Sequence, residues 1–257
     1  MQKKHSLIIG GTRGIGRALV DMWSEHGDRF VSVVGRHSAN AIDRRLLRVD
    51  HWRTDLTEGR SLGPLMADII RRRGALSSLV FFQRYRGIKD DWMGELQVSL
   101  TATREILERT GDYFDPAGER AIVVISSIAN HFIAREQSVG YHVAKAGLTQ
   151  MVRYYAVKFG AKKIRVNSVS PGPVVKAESE KFYQRHPGFT AFYKTIIPLG
   201  RIGTMKEIAS TVDFLCSPKA SFITGQDLVV DGGVSIQAHE SLARSLTPLG
   251  RIKVTRS

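Results

Sequence analysis

At 257 residues the chain is long enough for one domain with a substantial core, and its 42% hydrophobic and 24% charged residues exclude a disordered protein. The single cysteine, Cys216, excludes an internal disulfide, and no run approaches the roughly 18 apolar residues of a membrane span. The net charge of +14 raises nucleic acid, an anionic surface or anionic small molecules as partners, yet the basic residues are dispersed. The densest runs, Arg71-Arg72-Arg73 and Lys162-Lys163-x-Arg165, fall near predicted element ends, where cations suit a helix C-terminus. With neither a zinc-ligand spacing nor an RNA-binding aromatic motif beside them, neither metal nor nucleic acid is expected. The apolar run after Met1-Gln2-Lys3-Lys4-His5 is too short for a secretory signal, so a cytoplasmic protein off the membrane is the expectation.

Taken in order, the chain alternates strand and helix signals, the pattern of a parallel sheet with helices on its faces. Residues 6–9 form an apolar strand that runs straight into Gly10-Gly11-Thr12-Arg13-Gly14-Ile15-Gly16. Helical spacing follows over 15–26, with Ala18, Leu19, Met22 and Trp23 inward. A second strand at 30–34 ends in Gly35-Arg36-His37, and a third is predicted at 46–50, ahead of Thr54-Asp55-Leu56-Thr57. A helix at 63–73 leads to a fourth strand at 77–82. A single long amphipathic helix is predicted at 90–110. The fifth strand, 121–125, delivers Ser126 and Ser127, and the next helix spans 138–160. A sixth strand at 164–169 is stopped by Ser170-Pro171-Gly172-Pro173. The stretch to residue 198 reads as irregular, polar and aromatic, and one more helix and strand close the sequence pattern near Asp231-Gly232-Gly233.

Three stretches carry chemistry. Strand, glycine-rich turn and helix is the setting in which backbone approaches a pyrophosphate and a helix N-terminus offers it free N–H groups. Arg36 lies twenty residues after Gly16, where an acid would bind the ribose hydroxyl of NAD and an arginine accommodates the 2′-phosphate of NADP. Arg13 is a second cation there, and the pair predicts NADP(H); two surface arginines are the plainer alternative. Tyr141 and Lys145, four apart on one helix, share a face, so the ammonium can favour the phenolate of a proton-transferring tyrosine. Taken alone, that pair also fits a packed ring and a solvated stem.

With these features in this order, the chain resembles the short-chain dehydrogenase/reductase family, in its single-domain, NADP-preferring branch, over about residues 5–234. The Gly-x-x-x-Gly-x-Gly turn is the family's variant, with Ile9 where threonine is usual. The resemblance implies an α/β, doubly wound Rossmann-type fold with a seven-stranded parallel sheet and helices on both faces. It implies one domain over 1–234 with a substrate lid at 176–198, a C-terminal tail at 235–257, and a homo-oligomer, dimer or tetramer. Catalysis is then expected of Ser127, fourteen residues ahead of Tyr141, with Tyr141 and Lys145; Ser126 should face the other way. Cofactor contacts are expected from Gly10, Thr12, Arg13, Gly14, Ile15, Gly16, Arg36, Asp55, Leu56, Tyr141, Lys145, Pro171, Gly172 and Val174. For Asp55, set to meet the adenine amino group, capping the next helix is the alternative. Hydride would pass between NADP(H) and a small-molecule carbonyl or secondary alcohol. Tyr141 would supply the proton, Lys145 would hold the nicotinamide ribose, and Ser127 would bond the developing oxyanion.

Two departures from the family pattern support a rival reading, a dinucleotide-binding or scaffold protein that has lost its chemistry. After the fourth strand the family carries Asn-Asn-Ala-Gly, whereas this chain reads Phe81-Phe82-Gln83-Arg84-Tyr85-Arg86-Gly87. The family's catalytic asparagine is replaced in Val98-Ser99-Leu100. The same odd turn, with Lys176 opening the lid, raises an anionic substrate as an expectation beside the plainer one of solvent-facing cations. The tail repeats Pro198-Leu199-Gly200-Arg201-Ile202 at 248–252, an echo with no physical account.

Overall fold

The computed structural model describes residues 4–37, 48–58, 62–87, 91–175 and 185–247. The strands are β1 (Lys4–Ile9), β2 (Arg29–Gly35), β3 (Val49–Arg53), β4 (Ser78–Phe81), β5 (Ala121–Ile125), β6 (Arg165–Pro171), β7 (Val174–Val175), β8 (Gly203–Thr204) and β9 (Asp227–Val230). The helices are α1 (Gly14–His26), α2 (Leu62–Arg73), α3 (Asp91–Glu95), α4 (Ala102–Thr110), α5 (Val139–Gly160), α6 (Pro187–Ile196), α7 (Met205–Cys216) and α8 (His239–Leu246). Seven strands form one sheet in the order β3-β2-β1-β4-β5-β6-β9, every neighbouring pair parallel. β7 and β8 make a separate short pair.

A parallel sheet is covered on both faces, so its strands are apolar throughout instead of alternating. In β1, Leu7 and Ile9 pack into the core shared with α2, α4 and α5, while Ile8 joins the core of α1 and α7 on the opposite face. From α1, Leu19, Val20 and Trp23 are fully buried, each worth roughly 1.5–3 kcal/mol of transfer free energy. Trp23 also gives its indole N–H to Asp213 of α7 at 2.6 Å, locking the two helices of that face together. Strand order reverses between β1 and β4, and at such a switch point the carboxyl ends of the strands open a crevice. Among the described residues, no helix is long and apolar enough to cross a membrane.

Several elements differ from the expected boundaries for identifiable reasons. The third strand is Val49–Arg53 and not 46–50, because it is an edge strand placed by backbone register on β2, Val31 opposite Val49 to Gly35 opposite Arg53. The long helix expected at 90–110 is interrupted between α3 and α4 by a π-helical turn, Leu96–Thr101, that holds Ser99. β6 runs on through Pro171. Ser168 and Gly172 donate towards β9 and Arg165 towards the β5 side, so the donor that Pro171 lacks faces a strand already ended at Ile125. Within the expected irregular lid, 187–196 is helical, with Pro187 in its first turn. Lys176 and the rest of 176–184 lie outside the described residues, as does the repeat at 248–252. The tail carries α8.

His5 sits at the amino end of the sheet, 1% exposed. Its Nδ1–H donates to the Gly74 carbonyl at 2.9 Å, and Nε2 accepts from the Ser32 hydroxyl at 2.9 Å. Burial, the largest cause, lowers the pKa of the ring from its ordinary 6.5. As pH falls through 6.5 the unfolded chain then takes up a proton that the native state refuses, so this part of stability is present above 6.5 and lost below it. Urea unfolding of wild type and His5→Gln at about pH 7 and about pH 5.5 should show the wild type losing more stability on acidification, by up to about 1.4 kcal/mol per pH unit for one proton. Equal losses in the two proteins would mean that His5 titrates normally.

Candidate active site

The crevice at the switch point, an open cleft with a cavity volume of about 110 Å³, is lined by the glycine turn, the end of β2, the Thr54–Thr57 segment and the turn after β4. Its tightest joint is glycine against backbone. Gly10 adopts φ +86°, and a Cβ on it would sit 2.8 Å from the Gln83 nitrogen, while a Cβ on Gly16 would strike the Gly10 carbonyl oxygen. Arg13, the N-cap of α1, lies on the crevice, and the helix turn that it opens carries neither an acidic residue nor a side-chain cap. Arg13 at the N-cap and Arg36 after β2 supply cations to the same lining. An anionic pyrophosphate suits this arrangement of bare N–H groups and guanidinium ions, so the residues present fit a dinucleotide. Thr12 packs on Gly35, and Leu56 is buried in the floor. Asp55 accepts from the Thr57 backbone N–H at 3.0 Å and its hydroxyl at 2.9 Å. That backbone bond, helped by Arg36, holds its carboxyl below the ordinary range. Asp55 thus closes its own turn while lining the crevice.

A second group of side chains gathers where β5 ends. Strand alternation sends Ser126 inward, where it donates to the Lys145 carbonyl at 2.9 Å. Ser127, next in sequence, caps a 3₁₀ turn at Ile128–Asn130 by accepting from the Ala129 N–H at 3.2 Å. Ser138 caps α5 through the Tyr141 N–H at 3.3 Å. Lys145, 4% exposed, donates to the Ile125 carbonyl at 2.9 Å, and its ammonium lies 5.6 Å from the centre of the Tyr141 ring. Arg84, from the turn after β4, lays its guanidinium 4.6 Å over the same ring. The crevice lining includes Arg84 but not Ser127, Tyr141 or Lys145, so the arginine stands between the two groups. Pro171, Gly172 and Val174 cluster at the end of β6; Gly172 presses on Asp231, and Val174 pairs with Gly203.

A family model described as enoyl-(acyl carrier protein) reductase matches residues 10–235. A cis-4-hydroxycyclohexanecarboxylate dehydrogenase of Sinomonas cyclohexanicum is 30% identical over 243 residues, 89% of this chain and 95% of its own. A 3-oxoacyl-[acyl-carrier-protein] reductase of Thermotoga maritima is 26% identical over 92% of this chain and 99% of its own. A short-chain dehydrogenase/reductase from Serratia marcescens superposes with a TM-score of 0.80 at 25% identity, covering 91% of this chain and 98% of its own. The chain belongs to the short-chain dehydrogenase/reductase family. It is an oxidoreductase of that family, which binds a nicotinamide dinucleotide.

Around these residues the structure adds others that sequence reasoning missed. His142 donates from Nδ1 to the Ser138 carbonyl and accepts the Ala134 N–H at Nε2, tying down the loop ahead of α5. Ser99, fully buried in the π-helical turn, donates to Glu95 at 3.2 Å, and Glu95 is itself only 4% exposed. The Ser99 hydroxyl therefore has a carboxylate partner one helical turn earlier. Nothing in local spacing marks Glu95, because an acid on an amphipathic helix normally faces water.

Asp227 was also missed. Its side chain, 7% exposed, accepts from Ser168, Ser170 and Asn130 at 2.7–2.8 Å. Asn130 belongs to the turn that Ser127 caps, so this network pins that turn to β6 and β9. Asp227→Ala would strand several buried donors and should cost about 2–3 kcal/mol, read as an earlier urea midpoint; Asp227→Asn, which keeps an acceptor, should cost less. A wild-type midpoint in the alanine variant would show that the network holds nothing.

Proposed function

We propose that the chain is an NADP(H)-dependent reductase of carbonyl compounds, with Tyr141, Lys145 and Ser127 as its catalytic residues. The cofactor preference rests on one observation, the pair of guanidinium ions on the crevice, Arg36 directly after β2 and Arg13 at the start of α1. A planar cation at this place suits the 2′-phosphate, where an acid would suit a ribose hydroxyl. Gly10, Thr12, Gly14, Ile15 and Gly16 would hold the pyrophosphate, Asp55 and Leu56 the adenine, and Pro171, Gly172 and Val174 the nicotinamide end.

When bound, the nicotinamide supplies the hydride. The Tyr141 hydroxyl gives its proton to the carbonyl oxygen as charge builds there. The Lys145 ammonium, held at the Ile125 carbonyl and 5.6 Å from the ring, favours the phenolate left behind and would hold the nicotinamide ribose. The Ser127 hydroxyl, outside the inward-turned contacts that occupy Ser126, donates to the oxyanion. The relatives support a carbonyl–alcohol pair as substrate, since one is named for a hydroxycyclohexanecarboxylate and another for a 3-oxoacyl-[acyl-carrier-protein].

Two measurements test the reading. Tyr141→Phe should lose at least about 10²-fold in NADPH-dependent turnover across a carbonyl panel; retention of more than a few per cent would remove Tyr141 from the chemistry. NADPH should bind at least about ten times more tightly than NADH, and Arg36→Asp should erase or reverse that preference. Equal affinity of the wild type for both cofactors would sink the assignment. A protein that binds NADPH and turns over nothing would instead be the scaffold that the altered turn and Ser99 suggest.

A further inference from the structure

We infer that Arg84 forms a subsite for an anionic group on the substrate, a carboxylate or a phosphate carried close to the carbonyl that is reduced. This rests on the reading of Tyr141 as the proton donor. The turn that carries Arg84 is anchored on three sides. Phe82 donates its N–H to Ile9 at 2.7 Å, Gln83 donates from its side chain to Thr103 of α4 at 2.6 Å, and Tyr85 lays its ring on Gly94 of α3. The root of the Arg84 side chain is therefore fixed, and its direction belongs to the fold.

That direction leads to the reacting residue. The guanidinium stacks 4.6 Å over the Tyr141 ring, and Nη2 donates to the Gln137 side chain at 2.7 Å. Both contacts orient the group without consuming it. A ring face takes no directed N–H, and Gln137 takes one of the five that a guanidinium carries. Arg84 is exposed, and among the described residues its planar fork remains open to an incoming anion and suits a carboxylate or phosphate in two-point contact. Lys145 does not compete for that role, because it is buried at the Ile125 carbonyl.

The geometry restricts the ligand. An oxygen at the Tyr141 hydroxyl and an anion on a guanidinium stacked over the same ring are separated by little more than that ring, so carbonyl and charge sit a few atoms apart. Oxo acids and phosphate-bearing ketones have this shape. A cofactor phosphate is the other source of the same chemistry, since Arg84 also lines the crevice. The adenosine end, however, already holds Arg13 and Arg36, whereas Arg84 reaches towards Tyr141.

The test uses the whole protein with 2-oxo and 3-oxo acids bearing alkyl or phenyl tails, each beside its methyl ester. Wild type, Arg84→Gln and Arg84→Lys are compared for kcat/KM at two salt concentrations, with NADPH affinity measured separately by fluorescence. Arg84→Gln should lower kcat/KM for the acids by about tenfold or more and for the esters by no more than about threefold, with NADPH affinity within about twofold. Arg84→Lys should recover only part of the loss, because it keeps the charge and drops the fork, and the acid preference should shrink in salt. Equal losses on acids and esters would reduce Arg84 to a support for the Tyr141 ring and overturn the proposal. Weakened NADPH binding with an unchanged acid preference would make it a cofactor contact, and would overturn it equally. Calorimetric binding of acid and ester to the protein keeps this apart from the oxidoreductase reading. A chain that binds no NADPH yet prefers acids through Arg84 sinks only that reading, and one with no Arg84-dependent preference sinks the subsite.

Discussion

All the candidate residues depend on one constraint, the parallel direction of the sheet. In a parallel sheet every strand delivers its carboxyl end to the same edge, so segments far apart in the chain arrive together. Gly10 follows β1, Arg36 follows β2, Arg84 follows β4, Ser127 follows β5, and Gly172 follows β6. Because both faces are buried beneath helices, a one-residue slip would exchange Ile8 with Leu7 and Ile9 between two closely packed cores and disrupt both. Burial on both faces thus holds the edge in register, and the edge holds the site.

At that edge, β5 and α5 are joined by polar contacts that an apolar core could not direct. The Lys145 ammonium meets the last carbonyl of β5, and the Ser126 hydroxyl meets the Lys145 carbonyl. A buried ammonium is costly unless it is bonded, so this geometry is favoured over alternatives that leave it bare. The consequence reaches Tyr141 one turn earlier and Ser127 one residue later. Below them, Asp227 gathers Ser168, Ser170 and Asn130, tying the Ser127 turn to the two strands beyond β5.

The turn after β4 is built of bulky residues, yet Gly10 presses against its backbone. Their volume is absorbed outward, with Tyr85 placed on Gly94 and Gln83 bonded to Thr103. Arg84 is then left to cross from the dinucleotide crevice to the Tyr141 ring. The π-helical turn in the neighbouring helix belongs to the same region, and it buries Ser99 with Glu95.

Much of this was legible in the chain because it is local. The glycine turn between a strand and a helix, the four-residue spacing of Tyr141 and Lys145, and the opposite facing of Ser126 and Ser127 follow from the periods of helix and strand. The doubly wound fold follows from the alternation of those elements. What only the tertiary structure decided involves partners far apart in sequence. Pro171 is tolerated in β6 because β5 ends before reaching it, a fact of register between two strands. β3 lies at 49–53 because β2 offers its edge there, whatever the apolarity of residues 46 and 47. Arg84 meets Tyr141 across 57 positions, and Asp227 meets Asn130 across 97. No local period encodes such contacts: a charged side chain on a turn or strand is surface by default, and it finds its partner only once packing has brought the two ends of the contact together.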